Sequence, residues 1–324
     1  MPSTLILTEK EVRELLKMED AMSAVERAFR AYAVNDGVQM PPKVYLTFEN
    51  GDLRAMPALV GKYAGVKWVN SHPNNRSRGL PTVMALLILS DPETGFPLAV
   101  MDATYLTCVR TGAAGGIAAK YLARKDSKVF GFIGCGTQAY HQLEALRIVF
   151  DIEKVRAFDV ISSSAQKFAE HCSKLGMDAE VCECRDACNC DVLTTTTPST
   201  EPVVKNEWIK TGTHVNAIGA DAPGKQELDE GILLRAKIVV DDIEQALHGG
   251  EINVAVSRGI IKPENIHATI GEVIAGLKPG RESDEEITVF DSTGLAIQDI
   301  ATASVVFERA VKEEKGRSVE FFSF

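Results

Sequence analysis

The spacing of hydrophobic positions changes along this chain and separates regions of different structure. Up to Tyr32 the apolar residues recur every three or four positions, which predicts a helix or a pair of helices. Thr8 and Glu11 have the spacing of a capping box at the start of this pattern. From Pro41 to Met101 the pattern becomes short strand-like runs, at 44–48, 66–69, 83–89 and 97–101, broken by turn signals such as Asn50-Gly51. This second region predicts a mostly antiparallel sheet.

After an Ala/Gly-rich helical segment over 105–123, strand-like and helical patterns alternate. Such alternation predicts a parallel sheet with helices on both faces. We expect a last strand over 287–291 and a long helix from 295. The sequence therefore indicates an α/β protein with a Rossmann-type doubly wound parallel sheet over 126–294. A second, α+β sheet domain covers 1–125, joined by the C-terminal helix in 295–324.

A glycine-rich turn at the start of the alternating region predicts a dinucleotide site. Gly134 and Gly136 follow the apolar run 129–133, and a helical pattern begins near Thr137 and Gln138. Glycine at these positions would let a pyrophosphate approach the N–H groups of the helix start. Asp159 ends the next strand about 20 residues later, where this fold places the acid that accepts from the adenosine ribose. Since a 2′-phosphate would meet like charge there, we expect NAD rather than NADP.

Composition and charge exclude several classes of function. The net charge of −10 opposes binding to DNA or to an anionic membrane. The apolar run Val83–Leu89 is far shorter than the roughly 20 residues that cross a bilayer, and the first residues do not resemble a secretory signal. We read the seven cysteines as reduced thiols of a cytoplasmic enzyme. Among them, Cys182, Cys184, Cys188 and Cys190 have a spacing that zinc could use, but we expect no metal.

Four basic residues stand in apolar or Gly/Pro-rich surroundings where a surface charge would gain little. They are Lys43, Arg54, Lys67 and Arg110. Strand alternation places Val66 and Trp68 on one face and Lys67 on the other. Each of the four can equally be a solvated or ion-paired surface charge, so these residues alone leave the chemistry open.

Motifs in a fixed order resemble the ornithine cyclodeaminase/μ-crystallin family. They are Val-Lys-Trp-Val-Asn-Ser-His-Pro at 66–73, Leu-Pro-Thr-Val-Met-Ala at 80–85, Pro-Leu-Ala-Val-Met-Asp-Ala at 97–103, Arg-Thr-Gly-Ala-Ala at 110–114, Gly-Cys-Gly-Thr-Gln-Ala at 134–139 and Ile-Gly-Ala-Asp-Ala-Pro-Gly-Lys-Gln-Glu-Leu at 218–228. Within the family the chain resembles most the archaeal alanine dehydrogenases. This implies a homodimer that associates through its sheet domains, with substrate bound between that domain and the nicotinamide of NAD.

The resemblance also implies roles for single residues. Lys67 and Asp221 match catalytic positions, and Arg110 matches a residue that binds the substrate carboxylate. Lys43 and Arg54 are expected to assist in binding the substrate, although Lys43 stands where relatives often have arginine and Arg54 where cyclodeaminases have an acid. Thr111 matches a contact to the cofactor phosphate. Topology and resemblance together place three further cofactor contacts at Thr197, Gly219 and Ser292.

The chemistry of these groups suits an amino acid and its 2-oxo acid. Arginine forks can fix a small carboxylate, after which hydride transfer is largely a matter of positioning. A lysine can move protons if burial and neighbouring cations lower its pKa toward neutrality. We expect interconversion of L-alanine with pyruvate and ammonia. The alternatives are ornithine cyclodeaminase, a ketimine or cyclic imine reductase, and a non-enzymatic crystallin-like protein.

Overall fold

The computed structural model describes residues 3–322, apart from the side chain of Arg76. They form two compact units, one made of the residues up to Arg110 together with those from Leu295 onward, the other of Thr111–Gly294. The second unit is therefore inserted, in sequence, into the first. Within 3–322, no helix combines the length and the apolar character needed to span a membrane.

The first unit is an eight-stranded mixed sheet with helices packed against it. Its strands are β1 (Thr4–Leu7), β2 (Val38–Gln39), β3 (Val44–Phe48), β4 (Gly51–Val60), β5 (Tyr63–Ser71), β6 (Ala85–Ser90), β7 (Pro97–Asp102) and β16 (Arg317–Val319). The strand order is β16-β1-β7-β6-β5-β4-β2, with β3 paired to β4. Every pair is antiparallel except β1 with β7. The prediction of a mostly antiparallel sheet is confirmed.

The helices of this unit follow the predicted apolar pattern. They are α1 (Glu9–Leu15), α2 (Met18–Ala33), the start of α3 (Thr104–Leu122), and α11 (Ala296–Lys312). At the start of α1 the Glu11 carboxylate accepts from the Thr8 N–H at 2.7 Å, as the capping box predicted. Alternation along β4 and β5 turns Arg54, Met56, Lys67 and Val69 toward the buried face, while Trp68 on the opposite face is 43% exposed.

The second unit is an all-parallel eight-stranded sheet, as predicted. Its strands are β8 (Val129–Ile133), β9 (Lys154–Phe158), β10 (Asp178–Val181), β11 (Val192–Thr195), β12 (His214–Ala217), β13 (Lys237–Val240), β14 (Ile266–Thr269) and β15 (Thr288–Asp291). Its helices are the rest of α3, α4 (Thr137–Val149), α5 (Ser162–Lys174), α6 (Cys184–Ala187), α7 (Glu230–Arg235), α8 (Ile243–Gly249), α9 (Asn253–Ser257) and α10 (Ile270–Ile274). The order β10-β9-β8-β11-β12-β15-β13-β14 reverses direction between β8 and β11, where doubly wound sheets bind their ligands.

The division between the units falls inside α3, between Arg110 and Thr111, whereas the sequence suggested a boundary near residue 125. The reason is the packing of α3 against α4. A Cβ built at Gly112 would lie 2.4 Å from the backbone oxygen of His141, and one at Gly116 would lie 2.7 Å from the Cβ of Ala145. Glycine allows this close approach, which ties the helix from residue 111 onward to the parallel sheet.

Candidate active site

Lys67 lies at the centre of a buried ionic cluster in the first unit. Its side chain is 1% exposed, and its Nζ lies 2.7 Å from Oδ2 and 2.8 Å from Oδ1 of Asp299. The ammonium also donates to the hydroxyl of Thr107 at 3.3 Å. Strand β5 supplies the lysine and helix α11 supplies the carboxylate, so the cluster joins segments 232 residues apart in sequence.

Arg110 shares the same carboxylate. Its Nε donates to Oδ1 of Asp299 at 3.0 Å, and its Nη1 donates to Oε1 of Gln298 at 2.9 Å. Both acceptors are fully buried. Sequence reasoning did not include Gln298 and Asp299 among the site residues; the available signal was a polar pair inside an otherwise apolar helical stretch. One buried anion therefore faces two buried cations.

The environment lowers the pKa of Lys67 from its ordinary value of 10.5 to about 7. Burial is the largest cause, because it disfavours the charged form. The positive charges of Arg110 and Lys43 act in the same direction, while the Asp299 carboxylate raises the pKa. A lysine with a pKa near neutrality can both accept and return a proton.

Arg54 has its own counter-ion. Its guanidinium donates to both carboxylate oxygens of Asp52, at 2.6 and 3.0 Å, and stacks on the ring of Tyr45 with 5.4 Å to the centroid. The side chain is buried on the same face of the sheet as Lys67. Lys43 is half-buried immediately before β3. The first unit thus brings Lys67, Arg110 and Lys43 together and holds Arg54 through Asp52.

The glycine turn of the second unit has the geometry of a phosphate site. Gly134 has φ +87, a left-handed conformation that favours glycine. Gly136 is the N-cap of α4, and a Cβ built there would meet no described atom within 4 Å. Thr137 is exposed in the first turn, and the buried Oε1 of Gln138 accepts no hydrogen bond from the residues that the structure describes. Since a glycine cap has no side chain to satisfy the first N–H groups, an anion can take that place.

Asp159 is held beside this turn. Its carboxylate accepts from the N–H of Cys135 and from the N–H of Ile161, both at 2.7 Å. Gly134 N–H donates to the carbonyl of Phe158 at 2.9 Å, which fixes the turn against the end of β9. An acid at the end of the second strand is where a dinucleotide fold positions the adenosine ribose.

Four of the remaining predicted site residues of this unit follow strands, at the carboxyl edge of its sheet: Thr197, Gly219, Asp221 and Ser292. Asp221 follows β12, and its carboxylate accepts from Lys225 Nζ at 2.5 Å. Gly219 and Thr197 both donate to the carboxylate of Glu227. Ser292 is 3% exposed, and its hydroxyl has no hydrogen-bond partner in the described chain. Thr111 is buried at the start of the unit, and its carbonyl accepts from Gln142.

The cysteines close together in sequence lie in the hydrophobic core of the second unit or pack against it: Cys182, Cys184, Cys188 and Cys190. Cys188 is buried, and the Cys184 thiol donates to the carbonyl of Val203 at 3.4 Å. Burial raises the pKa of Cys182 to about 11 and that of Cys190 to about 12. Within residues 3–322 no group of three or more His, Cys, Asp or Glu side chains is placed to hold a metal ion.

Comparisons with known proteins agree with this architecture. The sequence profile of the ornithine cyclodeaminase/mu-crystallin family matches residues 3–314. An alanine dehydrogenase of Archaeoglobus fulgidus is 69% identical over 319 residues, which covers 98% of this chain and 99% of the relative. The solved structure of an archaeal alanine dehydrogenase dimer with bound NAD superposes with a TM-score of 0.98 at 69% identity, covering 99% of this chain and 100% of that one. The Δ1-pyrroline-2-carboxylate reductase of Thermococcus litoralis, solved with NADH and L-proline, has a TM-score of 0.94 at 40% identity, covering 98% and 100%. The chain described here belongs to the ornithine cyclodeaminase/mu-crystallin family.

Proposed function

We propose that this protein is an NAD-dependent alanine dehydrogenase that interconverts L-alanine with pyruvate and ammonia. The observation that carries the proposal is the buried Lys67, whose pKa is about 7, beside Arg110 on the shared carboxylate of Asp299. The 69% identity to the Archaeoglobus fulgidus enzyme, over nearly the full length of both chains, supports the choice of substrate.

The second unit fits NAD as its cofactor. Gly136 leaves room for a pyrophosphate at the start of α4, Gly134 supplies the left-handed backbone of the turn, and Asp159 would accept from the adenosine ribose. The unpartnered buried atoms Gln138 Oε1 and Ser292 Oγ are polar groups that a bound ligand can satisfy. When bound, NAD supplies the hydride acceptor.

Residues of the first unit would bind and orient the amino acid. Arg110, assisted by Arg54 and Lys43, supplies the positive charge that fixes a carboxylate, and arginine does so with a planar fork. Asp299 and Asp52 hold the two guanidinium groups in place. A carboxylate fixed in this way presents the Cα hydrogen in one direction, which is the main requirement for hydride transfer.

Lys67 and Asp221 would move the protons. A neutral Lys67 amine can accept the proton that the alanine ammonium group loses as the iminium forms. Water then adds to the iminium carbon, and ammonia leaves after taking a proton back. Asp221 would orient the water and balance the developing positive charge, and Lys225 holds its carboxylate at 2.5 Å.

A diamine is a poor substrate for this set of charges. Lys43, Arg54, Lys67 and Arg110 together repel a second ammonium group, which disfavours ornithine cyclisation. A cyclic imine reductase is the stronger second candidate, because the reductase of Thermococcus litoralis is 40% identical over nearly the whole chain.

The test is the absorbance of NADH with purified protein, NAD and a panel of L-alanine, L-ornithine and L-proline. We expect NADH from alanine only, and in the reverse direction NADH consumption by pyruvate only when ammonia is present. Proline formed from ornithine without net NADH would overturn the dehydrogenase. Faster NADH consumption with a cyclic imine than with pyruvate and ammonia would assign the reductase instead.

We further propose that the protein works as a homodimer in the cytoplasm. The solved alanine dehydrogenase is described as a dimer, and one face of the first unit's sheet exposes Trp68, Leu86 and Ile88 at 43%, 57% and 42%. An apolar face of this kind is typical of a surface that a partner covers. A reducing compartment suits the seven thiols, and cell fractionation with an antibody to the protein would test the location.

A further inference from the structure

A chain of buried carboxylates runs along the carboxyl edge of the parallel sheet. Asp291, at the end of β15, accepts from the N–H groups of Glu251 and Ile252 at 2.9 and 3.2 Å. The Glu251 carboxylate accepts in turn from the N–H groups of Glu227 and Leu228 at 2.9 and 2.6 Å. The three acids are 0–1% exposed. Each carboxylate therefore holds the backbone that carries the next.

The chain of buried carboxylates ends at Glu227, whose carboxylate accepts four hydrogen bonds. Oε2 accepts from the Thr195 hydroxyl at 2.7 Å and from the Gly219 N–H at 2.8 Å. Oε1 accepts from the N–H and the hydroxyl of Thr197 at 2.6 and 2.8 Å. Four donors match the four lone-pair sites of an ionised carboxylate. A glutamine offers only one oxygen, and its amide would direct N–H groups at two of these donors.

Glu227 thereby joins two loops that carry predicted site residues. Thr197 follows β11, Gly219 follows β12, and Asp221 stands two residues further along. A Cβ at Gly219 would lie 2.1 Å from the carbonyl oxygen of Thr197 and 2.7 Å from Cδ of Glu227, so the two loops are in direct backbone contact. The carboxylate sets the spacing of that contact.

We propose that Glu227 is a positioning residue of the reaction, which holds the Thr197 loop and the Asp221 loop at a fixed separation and is itself held by Glu251 and Asp291. The inference rests on the proposed function, in which Asp221 moves protons, and on the cofactor contact predicted from the sequence for Thr197. Burial raises the pKa of Glu227, and burial together with the charge of Glu227 raises that of Glu251 well above its ordinary value. Such burial of acids is costly for the fold, which is consistent with a functional reason for keeping them.

The test is the Glu227→Gln variant of the full chain, assayed for alanine oxidation below its melting temperature. We expect kcat to fall about 100-fold, the effect of misplacing reacting groups by about 1 Å. The KM for alanine should change little, because the substrate carboxylate is bound by residues of the first unit. Asp191→Asn is the control, since Asp191 also accepts from two backbone N–H groups, at the start of β8, but lies at the amino edge of the sheet. It should lose stability and keep its kcat.

The outcomes separate the two proposals. If the wild type makes no NADH from alanine, the proposed function fails. If the wild type turns over and folded Glu227→Gln matches its kcat, the positioning role fails, even if the melting temperature falls.

A milder pair covers the case in which Glu227→Gln does not fold. Thr195→Val removes one of the four donors, whereas the neighbouring Thr194→Val removes a hydroxyl that has no hydrogen-bond partner among the described residues. Both threonines are fully buried. We expect kcat to fall about fivefold for Thr195→Val, the loss of one hydrogen bond, and to stay unchanged for Thr194→Val. Equal kcat values for the two variants would overturn the proposal.

Discussion

Lys67 is a residue at which stability and activity oppose each other. In the unfolded chain the lysine stays protonated up to its ordinary pKa of 10.5, but in the folded chain its pKa is about 7. Below pH 10.5 the lowered pKa of Lys67 therefore reduces the free energy of unfolding. This reduction grows as the pH falls to about 7 and is constant at lower pH. We expect Lys67→Met to lower kcat by about 100- to 10,000-fold, and the melting temperature of the variant relative to the wild type to be higher at pH 6 than at pH 9. Calorimetry and NADH assays on the same preparation measure both. Near-normal turnover would contradict the role of Lys67.

Asp299 should set the pH at which Lys67 works. Its negative charge favours the ammonium form, so Asp299→Asn should lower the pKa of Lys67 further below 7. If the neutral amine is the base, the acidic limb of kcat/KM for alanine then moves to lower pH, while the maximum rate falls because Arg110 loses its negatively charged partner and keeps only Gln298. The measurement is the pH profile of both proteins.

A second acid on α11 provides the control for that profile. Glu308 pairs with Lys62 at 3.1 Å in an exposed position, so Glu308→Gln should leave the acidic limb where it is. An unchanged limb in Asp299→Asn, or an equal movement in both variants, would show that Asp299 does not tune the lysine.

The sequence could indicate the cations of the site but not their anion. Lys67 and Arg110 were noticeable because each interrupts an apolar stretch. Asp299 stands 232 residues from Lys67 and 189 from Arg110 in sequence, and no periodic pattern reports a contact at that distance. The pairing of Arg54 with Asp52 is local and follows from their positions on the same face of β4, two residues apart.

Among the elements, α3 and α4 offer a direct test of close packing. Gly116→Ala would place a Cβ 2.7 Å from the Cβ of Ala145, a distance that forces the helices apart and should cost about 1–3 kcal/mol of unfolding free energy. Ala145→Gly alone should cost about 1 kcal/mol through helix propensity. The double variant should be more stable than the sum of the two losses predicts, because the second change makes room for the first. Urea unfolding of the four proteins measures the coupling, and strict additivity would exclude the clash.

Strand β4 is an element that the hydrophobic pattern of the sequence did not predict. We predicted strands at Val44–Phe48 and around Val66–Val69, but not the ten-residue strand between them. Pro57 lies within it, and proline ordinarily argues against a paired strand. The structure accommodates Pro57 opposite Val66 in the β4–β5 ladder. By contrast, the alternation correctly placed Lys67 and Trp68 on opposite faces of the sheet, although it did not predict that the lysine is the buried one.

For the whole molecule, the exposed apolar face of the first sheet predicts the state of association. Leu86 is 57% exposed and lies opposite Trp68 across β5 and β6. We expect Leu86→Lys to convert the dimer to a monomer, since a dimer would have to bury the new charge. Leu277 in the second unit is 59% exposed, and Leu277→Lys is the matched control that should stay dimeric. Light scattering after gel filtration reads the mass. A dimeric Leu86→Lys protein would place the interface elsewhere.

The return of α11 to the first unit has a consequence for biosynthesis. Residues up to Arg110 emerge from the ribosome long before Asp299, and until then the two cations of the cluster have no carboxylate from α11 to share. The inserted unit Thr111–Gly294 has local contacts and can fold while the chain is still being made. The first unit can complete its fold only after α11 has been made, because Asp299 of α11 pairs with Lys67 and Arg110. These contacts form only when the ends of the long inserted segment come together, which is slow. A nascent chain arrested before α11 should therefore protect its nucleotide fold from protease while its older, N-terminal part is still digested.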